Sequence, residues 1–510
     1  MSQEADRRIP IIGILETSQR ISPEPTLAER IILAHKGRVL FQKAIGVAET
    51  TRIDEAINAL LEVAGNMTEV SISPESVLEP MIRAKDKLPN ERRYQDSASI
   101  SLANVYGMLG DFDEMRGLLP RPESDDSLWA TSAYIYAGET LISQGENPTQ
   151  ILEEAMDRIS KNIPRDGNNF FLKVIQYGRI ARVLHKANLN PGIAFEKAEE
   201  EIRKAEGIRQ WGTSDNSVQK QLAEAYISCG YLDDAVRLIN QFDLESGSAS
   251  DKNIPWKIRM DYKYREIRET LGKVFDEQIN LGNIEGAAKT AWAMSSKIAY
   301  AQALAAKAVK EADEGINPQP TIDKISEIPE IYDDEFYEKI YPSIFIAMKK
   351  SGKLGENSGI MLDTRNAFSE LEDDQKAEIL FAISDAVEDV GLVGEHGYVE
   401  AFNAIDRFHE DYDEIDDFFG TSYELYEDGI KRLAKKGYFD LAISYFEKKF
   451  GDKDYSQVKS GIMSFIAREM VEQGLSKEEI ESLTPEQVLE IRKDLSTHEA
   501  VSYFDLQTTS

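Results

Sequence analysis

The residues best suited to chemistry are few and poorly placed for it. Five histidines stand at 35, 185, 396, 409 and 498, and two of them open a His-Glu pair, His409-Glu410 and His498-Glu499. A zinc peptidase needs a second His four residues on, one turn along the same helical face. Asp413 and Ser502 stand there instead, so neither pair is a zinc motif. The run Asp411-Tyr412-Asp413-Glu414-Ile415-Asp416-Asp417 has the acidity of a calcium loop. Ile415, however, takes a ligand position and Asp416 the place of the turn glycine, so a solvated acidic helix is the better reading. Gly352-Lys353 lacks the glycine and the hydroxyl residue that a phosphate-binding loop places around its lysine. Gly391, Gly394 and Gly397 follow no strand pattern, and nucleophile-elbow spacing is absent. Cys229 is the only cysteine, with no histidine close in sequence to activate it, and reads as core packing. No catalytic residue, metal or cofactor is expected, and the chain reads as a non-enzyme. A site assembled from distant carboxylates on an α/α fold is the remaining enzymatic alternative.

What positions these residues is a long series of helices. Apolar residues recur at helical spacing, as in Ile151, Ala155 and Ile159, and alternating strand-like runs are missing. The punctuation is more informative still. Leu102-Ala103-Asn104-Val105-Tyr106-Gly107-Met108-Leu109-Gly110-Asp111-Phe112-Asp113-Glu114-Met115 aligns with Leu222-Ala223-Glu224-Ala225-Tyr226-Ile227-Ser228-Cys229-Gly230-Tyr231-Leu232-Asp233-Asp234-Ala235. Each is a helix closing on a glycine free to turn left-handed, then a short turn, then acids in the next helix's first turn. Gly282 and Gly437 repeat the turn. A second kind, at Gly145-Glu146-Asn147-Pro148, Asn188-Leu189-Asn190-Pro191 and Gly315-Ile316-Asn317-Pro318, adds an Asn cap before a Pro. Ser476 and Glu479 are spaced as a capping box after Gly474. Stops at 110, 145, 188, 230, 282, 315, 352, 394, 437 and 474 lie 33 to 52 residues apart. That is the period of stacked helical hairpins.

The Ala-x-x-Tyr-x-x-x-Gly-x-[Leu/Phe]-x-x-[Ala/Met] pattern resembles the tetratricopeptide repeat (TPR). The units around Gly110 and Gly230 match well, and those around Gly282 and Gly437 in part. The resemblance implies an all-α, right-handed α-solenoid of stacked antiparallel hairpins, and a tendency to bind proteins or peptides. In that register Asn104, Met108, Lys220 and Glu224 would face the binding groove. The family's basic carboxylate clamp is not expected, because Ile100 and Glu224 occupy two of its positions.

The chain has 510 residues and a net charge of −32, of which −24 falls within residues 311–430. Nucleic acid and anionic membranes recruit clustered Lys and Arg, so neither is expected as a partner. The acidic stretch is a solvated surface or a docking face for a basic protein. No apolar run is long enough to span a membrane. Arg7-Arg8 precedes the apolar run 9–15, but Glu4 and Asp6 and the missing cleavage site argue against an export signal. With one cysteine and no such signal, a cytoplasmic location is expected. The expected layout is an irregular extension over 1–25, a repeat array over 26–242, and a loop or hinge over 243–257. A second array covers 258–497, and a tail covers 498–510. Trp129, Trp211, Trp256 and Trp292 read as core anchors. The functional expectation is a scaffold, adaptor or chaperone-like protein-binding solenoid, with a sensor of a peptide or small ligand as the alternative.

Overall fold

A computed structural model describes residues 25–89, 91–122, 124, 127–162, 167–206, 215–239, 270–294, 296–328, 340–351, 373–389, 395–412, 419–450, 456–476, 479–480, 483–495 and 500. Among them the regular structure is helical and no strand occurs, so the chain is all-α. No helix among them is long and apolar enough to cross a membrane. Two compact units result. The central unit is Ile45–Met294, and the terminal unit joins Met1–Ala44 to Ser295–Ser510. The segment 243–257 and residues 1–24 lie outside the described residues, as do the stops at 352 and 394.

Helix α1, Leu27–Glu49, contains the boundary between the units. The central unit continues with α2 (Ile53–Glu69), α3 (Glu75–Lys87), α4 (Arg92–Leu109), α5 (Phe112–Leu118), α6 (Thr131–Ser143), α7 (Thr149–Lys161), α8 (Gly167–Lys186), α9 (Gly192–Glu206), α10 (Asp215–Ser228), α11 (Leu232–Ile239) and α12 (Ile284–Ala293). The terminal unit adds α13 (Lys297–Asp313), α14 (Gln319–Ser326), α15 (Tyr341–Lys350), α16 (Asp373–Asp389), α17 (Glu395–Tyr412), α18 (Phe419–Lys435), α19 (Phe439–Phe450), α20 (Ser456–Gln473) and α21 (Pro485–Asp494). In the central unit, α2, α4, α6, α8 and α10 each pair with the helix that follows. These five also pack one on the next. In the terminal unit α18 likewise packs on α19, its successor, and on α20 beyond it.

The turns carry the regularity. Gly110, Gly145, Asn188, Gly230, Gly282, Gly315 and Gly437 all have positive φ, between 56° and 85°. Every one closes its helix with the same pair of bonds. At Gly110, its N–H donates to Gly107 O (3.2 Å) and the Asp111 N–H donates to Tyr106 O (3.0 Å). At Gly230 the corresponding acceptors are Ile227 O and Tyr226 O, each at 2.9 Å. This Schellman arrangement uses carbonyls that would otherwise end the helix unpaired. The next helix is then capped by a side chain. Asn147, Asn190 and Asn317 Oδ1 accept from the N–H two residues on, and Asn283 Oδ1 accepts from the Gly286 N–H. An eighth turn of the same kind was not legible in the sequence. Ser71, φ 57°, donates to Thr68 O while Ile72 donates to Met67 O. Gly474 is absent from the left-handed set, and its reason for being glycine is different. A Cβ there would lie 2.7 Å from Ala34 Cβ and 2.9 Å from Ala34 N, on α1.

Burial follows the helical period. In α7, Ile151, Leu152, Ala155, Met156 and Ile159 are buried along one stripe. The motif alanines Ala103, Ala223 and Ala235 are fully buried, with Met115 and Cys229, in one core running through the central unit. The terminal unit's core is rich in rings. Phe402 stacks on Tyr445 at 3.8 Å between centroids and meets Phe381 edge-on at 5.5 Å. Gly429 lets α18 lie against the Phe381 and Phe402 rings, where a Cβ would collide. At the far end, Ala28 and Ile31 of α1 share a cluster with Leu475, Ile480, Ile491, Leu495 and Ala500. Trp129 corrects one expectation. It is 55% exposed, because Leu128 and Ala130 on either side take the buried positions ahead of α6. Trp211 and Trp256 lie outside the described residues.

Candidate functional site

The four residues expected to face a groove are placed as two separate pairs. Asn104 and Met108 sit one turn apart on α4, both buried, against α6. Asn104 Oδ1 accepts from the Ser132 hydroxyl at 2.8 Å, and Met108 O accepts from the Thr140 hydroxyl at 3.1 Å. These two positions therefore join helices. Lys220 and Glu224 are half-buried on α10, and Glu224 forms an ion pair with Lys273. In packing order α6 and α8 stand between the two pairs.

A better-defined concavity lies further along the same unit. Ser160 and Asn162 at the end of α7, Phe170, Lys173 and Tyr177 on α8, and Lys197, Glu200, Glu201 and Lys204 on α9 line a cleft of about 380 Å³. The spacing explains the convergence. Positions 170, 173 and 177 form one stripe of α8, and 197, 200, 201 and 204 form one stripe of α9. Volumes of this size fall at the lower end of small-molecule sites.

Its charges are unevenly satisfied. Glu201, 6% exposed, accepts from Lys204 Nζ at 2.8 Å, and Lys204 also reaches Glu200 at 2.9 Å. Lys173 is 3% exposed, yet its nearest carboxylate oxygen, on Glu201, is 3.8 Å away. No hydrogen bond from its ammonium is found among the described residues. Burial pushes the Lys173 pKa below the ordinary lysine value, against the attraction of Glu201 and with the repulsion of Lys204. Burial raises the Tyr177 phenol, and Glu201 and Glu200 raise it further, so it stays a neutral hydroxyl. Asn162 is 2% exposed and donates twice from Nδ2, to Ser124 O at 3.0 Å and Ser127 Oγ at 2.9 Å. Those two bonds fix which way its amide points. Its Oδ1 then has no partner.

Sequence reading missed this site because its charges look ordinary there. Lys197, Glu200, Glu201 and Lys204 have the spacing of solvent-facing helical ion pairs. The available signal was Lys173, a lone charge inside Phe170-Phe171-Leu172-Lys173-Val174-Ile175. Among the described residues no group of His, Cys, Asp and Glu is arranged to hold a metal ion. The chain matches no known protein family, and no curated protein matches it.

Proposed function

We propose that this chain is a tetratricopeptide-like α-solenoid that binds another protein, as a scaffold, adaptor or chaperone-like holder. The observation that carries the reading is the repeated hairpin. Seven turns foreseen from the residue pattern share one left-handed closing geometry. The helices α2, α4, α6, α8 and α10 pack in series, each with its own partner helix. Units that cannot bury an apolar face alone are stabilised by stacking, and such arrays use their long surfaces for binding. The step from fold to function is one of analogy.

The acidic stretch 311–430 supports a basic partner. Part of its charge is consumed internally. Asp373 pairs with Arg407 and Lys376, Asp385 with Arg432, and Asp406 with Lys448. Glu314, Glu327 and Glu424 are exposed and make no such pair among the described residues. These are the carboxylates a basic partner would meet. Affinity capture from lysate at low and high salt, comparing the chain with its Glu314→Lys/Glu327→Lys/Glu424→Lys form, tests the reading. A discrete basic protein lost on charge reversal and at high salt is expected. Identical captures by both forms would remove the charge-steered partner.

A further inference from the structure

We propose that the cleft between α7, α8 and α9 binds a small ligand bearing a carboxylate or phosphate group together with an N–H or O–H donor. Lys173 would hold the anion and Asn162 Oδ1 would accept from the donor.

Three observations carry this. The first is the unused valence of Lys173. A buried ammonium is costly unless hydrogen-bonded, and a buried ion pair formed for stability closes to about 2.7–2.9 Å. Lys173 stops at 3.8 Å, while Lys204 takes the short contact to Glu201. Three ammonium donors therefore point into a region where the protein offers no acceptor within hydrogen-bonding range. The second is Asn162. Its amide nitrogen is saturated, which leaves a buried carbonyl oxygen in need of a donor. Leaving such a group unpaired costs about 1–3 kcal/mol, and a ligand can recover it. The third is the local charge. Three lysines against two glutamates make this cleft a net cationic spot on a chain of charge −32. One anionic group balances it. The half-exposed Lys197 on the outer wall would steer that group inward, and the neutral Tyr177 hydroxyl remains able to donate.

The alternative is that Lys173 is a structural counter-ion to Glu201. The two readings separate in a thermal-shift experiment on the full chain with three probes: glycolate, its neutral analogue glycolamide, and inorganic phosphate. Binding of a probe to the folded state raises the melting temperature. Glycolate or phosphate should raise it in the wild-type protein, and glycolamide should not. Whichever of the two anions acts identifies the carboxylate or phosphate source. Lys173→Met should abolish the rise, and Lys197→Met should weaken it. Without probe, Lys173→Met should melt at or above the wild-type temperature, since Glu201 keeps Lys204 and an unsatisfied ammonium is gone. An equal rise in wild type and Lys173→Met would overturn the proposal. So would a shift by glycolamide alone, or a lower melting temperature of Lys173→Met combined with no response of the wild type to any probe.

Discussion

Asn104 and Lys173 illustrate how little a residue's type says about its task. Asn104 was placed at a groove because its register in the hairpin pointed there. It lies at the α4–α6 contact, where the small Ala103 and Gly107 bring the helices so close that a short amide bridges them. Asn104→Ala should therefore lower stability by about 1 kcal/mol, the net worth of one buried hydrogen bond, measured by urea unfolding. Ser132 keeps its bond to Trp129 O, so the loss should not be larger. Captured partners should be unchanged. Glu199 on α9 gives a pH prediction. Burial alone would raise its carboxyl, but hydrogen bonds from Arg237 (2.8 Å) and the Tyr226 hydroxyl (2.8 Å) outweigh it and hold the pKa below the ordinary glutamate value. A depressed carboxylate contributes stability that is complete above its unfolded value, about pH 4.3, and is lost as pH falls through the folded one. Glu199→Gln should be less stable than wild type at pH 7. Its stability should also fall less steeply than wild type's below about pH 4.3, where unfolding midpoints at successive pH values will detect the difference.

Helix by helix, the sequence was most legible where the backbone itself demanded a residue. A left-handed closing position strains any side chain with a Cβ, so glycine marks it, and Gly110, Gly145, Gly230, Gly282, Gly315 and Gly437 all stood out. Asn188 did so because Asn tolerates that region and the Asn-Pro that follows starts a new helix. Ser71 gave no such signal, although its turn has the same bonds. It follows that Ser71→Gly should stabilise the protein by about 0.5–1 kcal/mol, by removing the left-handed strain against a partly offsetting entropy cost. An unchanged or lower unfolding midpoint would show that this turn is relaxed as it stands. Other glycines are required by a neighbour rather than by φ, and a single sequence cannot reveal those. A Cβ on Gly107 would stand 2.5 Å from Ala133 O on α6, a backbone atom that cannot swing aside. Gly107→Ala should therefore push α4 from α6 at a cost of about 1–3 kcal/mol, seen as a lowered melting temperature.

Over the whole chain, composition foretold helices and charge but not which parts belong together. The quasi-regular hairpins suggested arrays running in chain order. What periodicity cannot express is a contact between ends, because a repeat pattern predicts only near neighbours. The terminal unit contains such a contact. Arg30 on α1 reaches both oxygens of Glu479 at 2.9 and 3.1 Å and the carbonyl of Gly474 at 3.0 Å. The Leu475 N–H donates back to Arg30 O at 3.2 Å. Beside it, a Cβ on Gly37 would lie 2.7 Å from Ala467 O, so α1 and α20 touch backbone to backbone. Glu479 is doubly committed, because its carboxylate also accepts from the Ser476 N–H at 2.8 Å as half of the foreseen capping box. Its pKa is lowered by that backbone bond first and by Arg30 after it. Arg30 therefore fastens the chain's N-terminal helix to a cap more than four hundred residues later. Removing it leaves the capping box intact but strips two carbonyls and a carboxylate of their donor. Arg30→Ala should destabilise by about 1–3 kcal/mol, the range for hydrogen bonds involving a charged partner. The effect should be local. In hydrogen exchange read by mass spectrometry, amides of α1 before Ala44, of α20 and of α21 should lose protection, while those of α6 to α9 in the central unit should not. Equal loss in both units would mean that the chain unfolds as one cooperative body, and that the terminal cluster stabilises the whole.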